Sequence, residues 1–434
     1  MNSITGFFEL EQHKTTVGRE FVGGLTTFLT MAYIIFVNPA ILSAAGMDKP
    51  ALITATCLAG FFGTLLIGLW GRVPFAMAPG MGLNAFFTYT LVLGQGLSWQ
   101  TALGVVFVSG VLFLVLTVVG IREKIVNAIP AGLRIAAAAG IGLFITFIGM
   151  KNLGLIVASK PTLVAMGELT RPVLLGLFGL TVIAVMEVKK VRGAILLGIL
   201  ATALLGIVFG EVRMVGSLVS TPPSLAPLFF KLDILASLKW GLAGAIFSFM
   251  FVDLFDSIGT IVACSYESGH VEPDGTIRNI DRMLEADAIA TIAGALIGTS
   301  TTTTYIESAS GIADGARTGL ASVCTAGFFL LALFFAPLIG AVPSFATAPA
   351  LIVVGVFMFR SIKEIDFADF RMALPAFLTI VLMPLTFSIA TGLTVGFLSY
   401  VVISALSGRA KEVSPVMWLI GLLSLVNLLI TSSN

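Results

Sequence analysis

Charge is scarce in this chain of 434 residues: Asp, Glu, Lys and Arg make up 11% of it, against about 25% in a soluble domain. With 57% hydrophobic residues and a mean hydropathy of +1.06, that deficit marks an integral membrane protein. Net charge is only +1, so the basic excess that nucleic-acid binding requires is missing. The three cysteines, Cys57, Cys264 and Cys324, lie far apart, which suggests neither a disulfide framework nor a zinc site. The two histidines, His13 and His270, fall in the N-terminal tail and in a polar loop. Proton handling inside an apolar segment therefore rests on carboxylates. No cluster of metal-ligating histidines and no nucleophile motif appears, which argues against an enzyme and against a cofactor. The first 20 residues are polar and do not read as a cleavable signal peptide.

Long apolar runs are what the chain has instead. They fall at 21–43, 51–70, 75–94, 99–120, 132–149, 172–187 and 193–210, then at 240–263, 286–298, 304–314, 317–340, 348–359, 374–390 and 391–406. Runs of this length suit helices rather than barrel strands. Those at 286–298, 304–314 and 348–359 are too short to span alone and read as broken or re-entrant elements. A last run, 415–431, reads as a helix lying on the membrane or against the bundle. With the N-terminus cytoplasmic, the tails and even-numbered connections carry seventeen Lys or Arg against seven on the other side, the expected cytoplasmic excess. Seven segments in each half make the halves opposite in topology, an inverted repeat.

Two interruptions stand out. In 299–315, six hydroxyl residues (Thr299 to Thr304) precede Glu307; β-branched Thr favours extended backbone and its hydroxyl competes for backbone groups. In 74–87, Pro79, Gly80 and Gly82 precede Asn84, where Pro removes a donor and Gly relaxes the backbone. Asn84 and Glu307 thus occupy matching positions at the openings of two half-helices, the arrangement that marks a transport site. Unpaired backbone groups are costly in hydrocarbon, so 75–79 and 300–304 are expected to pair as a short antiparallel ladder.

Segment eight adds Asp253 and Asp256. At 1.5 Å per residue, Asp253 lies about 21 Å from the charged neighbours Lys239 and Glu267, and the two aspartates share a face. Either could cap a break or sit in a polar core, yet acids without a basic partner in any apolar segment are hard to justify structurally. Asn84 could equally be a local cap, and the Thr run could serve only to satisfy backbone groups. Asp314 reads as a surface partner of Arg317, and Glu285 and Asp287 as N-terminal helix charges. Buried acids hold protons more readily, and a carboxylic acid both donates and accepts hydrogen bonds. A planar ligand with N–H donors and ring-nitrogen acceptors suits such a site, with binding linked to proton uptake. Phe75, Phe86, Phe251 and Phe255 offer flat faces nearby, although 34 Phe in total make ordinary packing the simpler explanation.

Thr-Thr-Phe-Leu-Thr-Met-Ala-Tyr (26–33) with Val37-Asn38-Pro39, Ala-Pro-Gly-Met-Gly-Leu-Asn-Ala-Phe-Phe (78–87), Asp-Leu-Phe-Asp-Ser-Ile-Gly-Thr (253–260) and Thr-Tyr-Ile-Glu-Ser-Ala-Ser-Gly (304–311) together resemble the adenine/guanine/hypoxanthine permease branch, of azaguanine-resistance type, of the nucleobase:cation symporters. The resemblance runs from about residue 16 to 408. It implies an all-α polytopic protein of 14 segments in 7+7 inverted repeats, with two short antiparallel strands in broken segments 3 and 10. After a tail (1–20), segments 1–4 (21–120) and 8–11 (240–340) would form a core domain; 5–7 (132–210) and 12–14 (348–406) would form a gate domain, followed by the tail 407–434. It implies a purine:proton symporter of the inner membrane with no cofactor beyond H+, and a fold that allows a homodimer. By motif match the functional positions are Asn84, Asp253, Asp256 and Glu307, with backbone amides near Phe75 and Tyr305–Ile306 touching the base. Thr303, Thr304 and Ser308 would support the pocket. Glu307 and Asp253 would bind the purine N–H edge, and Asp253, Asp256 or Glu307 would carry the proton.

The rival readings are an anion transporter of sulfate or bicarbonate type with the same architecture, a membrane-embedded enzyme and a passive channel. An anion beside three buried acids is repelled, which weighs against the first.

Overall fold

The computed structural model describes residues 3–120, 128–212, 216–272 and 276–432; Arg122, Lys124 and Arg213 of the charge tally lie outside the described residues. Among these, nine helices are long and apolar enough to cross a membrane, so the chain is a multi-pass, mostly helical membrane protein. The elements used below are α1 (Ser3–Phe7), α2 (Val17–Met31), α3 (Ile34–Leu42), α4 (Lys49–Leu66), β1 (Met77–Pro79), α5 (Met81–Ala85), α6 (Trp99–Val118), α7 (Ala131–Leu153), β2 (Ile156–Ser159), β3 (Leu163–Met166), α8 (Arg171–Val188) and α9 (Ala194–Val208). The second half contributes α10 (Ile234–Ser237), α11 (Ala243–Ser268), α12 (Ile280–Ile297), β4 (Thr302–Thr304), α13 (Ser308–Ala313), α14 (Gly319–Ala332), α15 (Ala336–Ala341), α16 (Ser344–Phe359), α17 (Phe370–Leu385), α18 (Ile389–Leu406) and α19 (Pro415–Ser432).

Helix starts follow from capping chemistry. Asp48 accepts from Ala51 N at 2.8 Å with Pro50 in the first turn of α4, and Ser98 accepts from Thr101 N at the start of α6. These side chains satisfy amides that have no partner within the helix.

Two of the short runs are not interruptions. Run 286–298 belongs to α12, an unbroken helix of 18 residues, about 27 Å long. Its first turns are polar, which hides its length from hydropathy. Run 348–359 belongs to α16, which begins at Ser344 and continues as a tighter turn through Glu364. Run 304–314 is interrupted, as is 75–94. A hairpin of β2 and β3, not anticipated from the sequence, joins α7 to α8. Helix α19 lies against α18, burying Met417 and Ile420.

Helices α16 and α17 pack on α7, and α8 and α9 on α16; α12 packs on α6, and α14 on α2 and α4. Glycine permits the closest of these approaches. A Cβ at Gly23 would stand 2.6 Å from the Ala316 Cβ, and one at Gly24 2.5 Å from the Ala321 carbonyl. Small residues at such crossings are how helices gain van der Waals contact in lipid.

The amino-terminal segment is strapped to one end of this bundle. Phe8 and Leu10 are buried against Leu320. Glu9 pairs with Arg72 at 3.4 Å and Arg278 at 3.9 Å, and His13 stacks on His270 with ring centroids 5.1 Å apart. Burial, and next the neighbouring His13, Arg278 and Arg317, push the His270 imidazole down to about 4.

Candidate functional site

The site is organised around the β1–β4 ladder. Met77, Ala78 and Pro79 pair antiparallel with Thr304, Thr303 and Thr302. Gly80 N donates to Thr301 O and Tyr305 N to Ala76 O, both at 2.9 Å, and these bonds extend the ladder at each end. Each outer edge is closed by one threonine hydroxyl. Thr64 Oγ1 of α4 sits 2.9 Å from both Met77 N and Met77 O; Thr291 Oγ1 of α12 sits 3.2 Å from both Thr302 N and Thr302 O. Backbone that hydrocarbon would leave unpaired is thereby satisfied.

Behind the ladder, α11 and α12 exchange bonds. Thr291 Oγ1 also lies 3.1 Å from Asp253 Oδ2, while Ser257 donates to Asp287 Oδ2 at 2.6 Å. Each helix thus offers an acid and, four residues on, a hydroxyl to the other. Asp287 Oδ1 further accepts from Thr304 N and Thr304 Oγ1. Asp253 and Asp287 are 1% and 0% exposed, and their bonds hold β4 in place.

In front of the ladder is a cavity of about 420 Å³. Asp256 and Thr260 of α11 enter it from one side, and Gly80 to Gly82 from another. Thr303 to Glu307 form its floor. Tyr33 donates to Glu307 Oε1 at 2.5 Å. The facing wall is Val354, Phe357, Met358 and Arg360 at the end of α16, with Glu187 at the end of α8. Arg360 rests over the Phe357 ring at 5.0 Å. An adjoining cavity of about 420 Å³ shares Asp256, Thr260, Ile306 and Met358.

At the far end of the helical stretch following β1, cross-links run to α7 and to the α17–α18 turn. Tyr89 OH and Asn152 lie within 3.1–3.2 Å, and Thr90 donates to Phe387 O at 2.5 Å. Lys151 Nζ sits 5.5 Å from the Tyr89 ring and 5.1 Å from that of Phe387.

The cavity brings together Asp256, Glu307, Thr303, Thr304, Tyr305 and Ile306. It leaves out four positions that the sequence reading placed in it. Asp253, expected beside Glu307, meets Thr291 of the crossing helix α12, while Asp256, about 60° round the same face of α11, reaches the cavity. Asn84 is fully buried and donates to Asn38 Oδ1 at 2.6 Å; Asn38 in turn donates to Thr56 and Thr299. Phe75 packs in an apolar cluster with Val73, Met77 and Phe113. Ser308 accepts from Ala76 N and donates to Tyr305 O, bracing the ladder. The Tyr305 amide, expected to meet a ligand, is already bonded to Ala76 O. Phe86 is buried against Phe249, whereas Phe251 and Phe255 line the adjoining cavity.

Three carboxylates lie elsewhere than their sequence neighbourhoods indicate. Asp287, read as a helix-end charge, is part of the buried acid group. Its signal was the Asp-x-x-x-Thr spacing that mirrors Asp253-x-x-x-Ser257. Asp314 pairs with Arg192 and accepts from Thr26 at 2.6 Å, while Arg317, its expected partner, donates to Ile312 O and Ala316 O. Glu20, fully buried, accepts from the backbone of Arg317, Thr318 and Ala321 and caps α14. Glu285 stays at the periphery, accepting from Trp70 Nε1 at 3.1 Å.

Known proteins share this chain and its fold. An MJ0326 permease of Methanocaldococcus jannaschii is 50% identical over 98% of this chain and 97% of its own length. The guanine/hypoxanthine permease PbuG of Bacillus subtilis is 46% identical over 95% and 96%, and the adenine permease AdeQ of Escherichia coli 44% over 95% and 93%. These relatives are transporters rather than enzymes. The transmembrane domain of the cyanobacterial bicarbonate transporter BicA superposes with a TM-score of 0.66 at 17% identity, covering 87% of this chain and 97% of that one. Murine Slc26a9, an anion transporter in the inward-facing state, gives 0.66 at 11%, covering 91% and 68%; at such identities the likeness is one of fold alone. Residues 18–395 match the Xan_ur_permease family, described as a permease family, and the chain belongs to it.

Proposed function

We propose that the chain imports purine nucleobases by proton symport across the inner membrane. Fourteen segments in two inverted repeats of seven would divide into a core (21–120 and 240–340) and a gate (132–210 and 348–406), with the N-terminus cytoplasmic. The observation that carries this reading is one cavity holding Asp256 and Glu307 beneath the Tyr33 hydroxyl. A carboxylic acid there can both donate to and accept from the edge of a neutral heterocycle, and a proton taken up with the base leaves no net charge to bury. Relatives named for adenine and for guanine/hypoxanthine supply the substrate class. The purine lies between Glu307, Asp256 and the Thr303–Ile306 floor on the core side and Val354, Phe357 and Met358 on the gate side. Asp253, Asp287 and Asn84 hold the ladder that positions them.

The cavity wall ends in Glu187, Thr260 and Arg360, beside connections rich in Lys and Arg, so this form opens to the cytoplasm. The Tyr89–Asn152 and Lys151–Phe387 contacts close the outer side. Movement of core against gate exchanges the two, and the gate surface allows a homodimer. An anion cargo fits poorly against two acids.

The test is uptake of radiolabelled hypoxanthine and adenine in a purine-transport-deficient host and in proteoliposomes. Uncoupler-sensitive accumulation, lost in Glu307→Gln and Asp256→Asn at unchanged membrane abundance, is the expected result. Uptake unchanged in both variants, or competition by sulfate or bicarbonate instead of purines, overturns it.

A further inference from the structure

We propose that the cavity adjoining the acid cavity is a second purine subsite, read by Arg134 and selective for 6-oxopurines (guanine and hypoxanthine) over adenine. This rests on the purine-transport reading and assigns its substrate class. The two cavities, each about 420 Å³, share Asp256, Thr260, Ile306 and Met358, so a ligand leaving Glu307 passes Asp256 into the second space. That space is walled by Arg134, Ala137 and Ile141 of α7 and by Phe251 and Phe255 of α11. The two rings stand 4.5 Å apart between centroids and tilted, an apolar wall for a flat heterocycle. Arg134 Nε is buried with no acceptor, and none of the ion pairs among the described residues involves Arg134. A donor-only side chain with part of its bonding capacity unspent thus lines the same cavity as a carboxylate, Asp256.

The edge that completes this arrangement carries a donor beside two acceptors. A 6-oxopurine has it: N1–H for Asp256, and O6 and N7 for the guanidinium, which forks onto that pair of acceptors in guanine. Adenine keeps N7 but places its 6-amino donor where one arm of the Arg134 fork also donates, leaving those two donors unpaired, and a site built around hydrogen bonds rejects such a mismatch strongly. A lysine keeps the charge but not the fork.

The experiment uses the purified full chain in proteoliposomes, with hypoxanthine and adenine uptake measured for the unaltered protein, Arg134→Gln and Arg134→Lys. The unaltered protein is expected to favour hypoxanthine. Arg134→Gln is expected to raise the hypoxanthine KM at least tenfold while moving that of adenine less than twofold, with Arg134→Lys in between. A ligand-side measurement needs no variant to fold: on the unaltered protein, 7-deazahypoxanthine, lacking the N7 acceptor, competes at least fivefold more weakly than hypoxanthine. Equal shifts for both bases, as an anchoring role at the membrane surface would give, overturn the subsite; so does equal competition by the 7-deaza analogue. An unaltered protein that carries neither base defeats the transport reading itself, a result distinct from purine uptake without the selectivity.

Discussion

The two interruptions, at β1–α5 and at β4–α13, are alike in backbone and unlike in side-chain employment. Each strand has one threonine closing its outer edge, Thr64 for β1 and Thr291 for β4, and these come from the second apolar segment of each half. The polar residue that follows is where they part. Asn84 turns inward to Asn38 and is lost to solvent, while Glu307 turns to Tyr33 at the cavity floor. One crossing spends its polar side chain on internal packing and the other presents a carboxylate to the cavity. Likeness of backbone between the halves is therefore no guide to likeness of chemistry.

The sharpest challenge to that division is Glu307→Gln set beside Asn84→Ala. The first should lower the kcat/KM of uptake at least 100-fold with little change in the melting temperature of the detergent-purified protein. The second should cost about 1–3 kcal/mol of stability, the penalty of leaving the buried Asn38 carbonyl unpaired, with KM within threefold of the parent. An Asn84→Ala variant that raises KM as Glu307→Gln does would break the contrast.

The edge threonines test the likeness instead. Thr64→Val and Thr291→Val each strip a strand edge of its partner, at about 1–3 kcal/mol. The second should be the more damaging, because Asp253 loses its hydroxyl as well. Equal melting temperatures for the two would contradict the bond from Thr291 to Asp253. Tyr33→Phe removes only the donor to Glu307 and is expected to raise KM several-fold without altering thermal stability. Smallest of all is Asp314→Asn. Its partner Arg192 is 64% exposed, so solvent screening limits the loss to about 1 kcal/mol or less, readable as a small drop in melting temperature.

The places where the chain leaves the helix could be read from residues alone, because Thr299–Thr304 and Pro79-Gly80 disfavour helix by covalent structure. The ladder between them followed from the cost of unpaired backbone in lipid. The side to which each acid points could not. Asp253 and Asp256 share a sequence neighbourhood, yet helix crossing sends one behind the ladder and the other into the cavity. Asp287 was hidden by the polar first turns of α12, which make a membrane helix look like a loop followed by a short run. Asp314 sits three residues from Arg317, but its cation comes from the α8–α9 turn, a partner that only tertiary packing supplies. Spacing within one helix is visible in sequence, whereas the angle between two helices is not.

The amino-terminal strap has a practical consequence. Glu9 grips both the turn ahead of β1 and the loop after α11, so a reporter fused ahead of it rides with the acid-bearing helices. A second dye on the exposed β2–β3 hairpin, which hangs from α7, would ride with the opposing wall. Energy transfer between the pair would then work as a ruler for the proposed movement of core against gate, without touching the cavity.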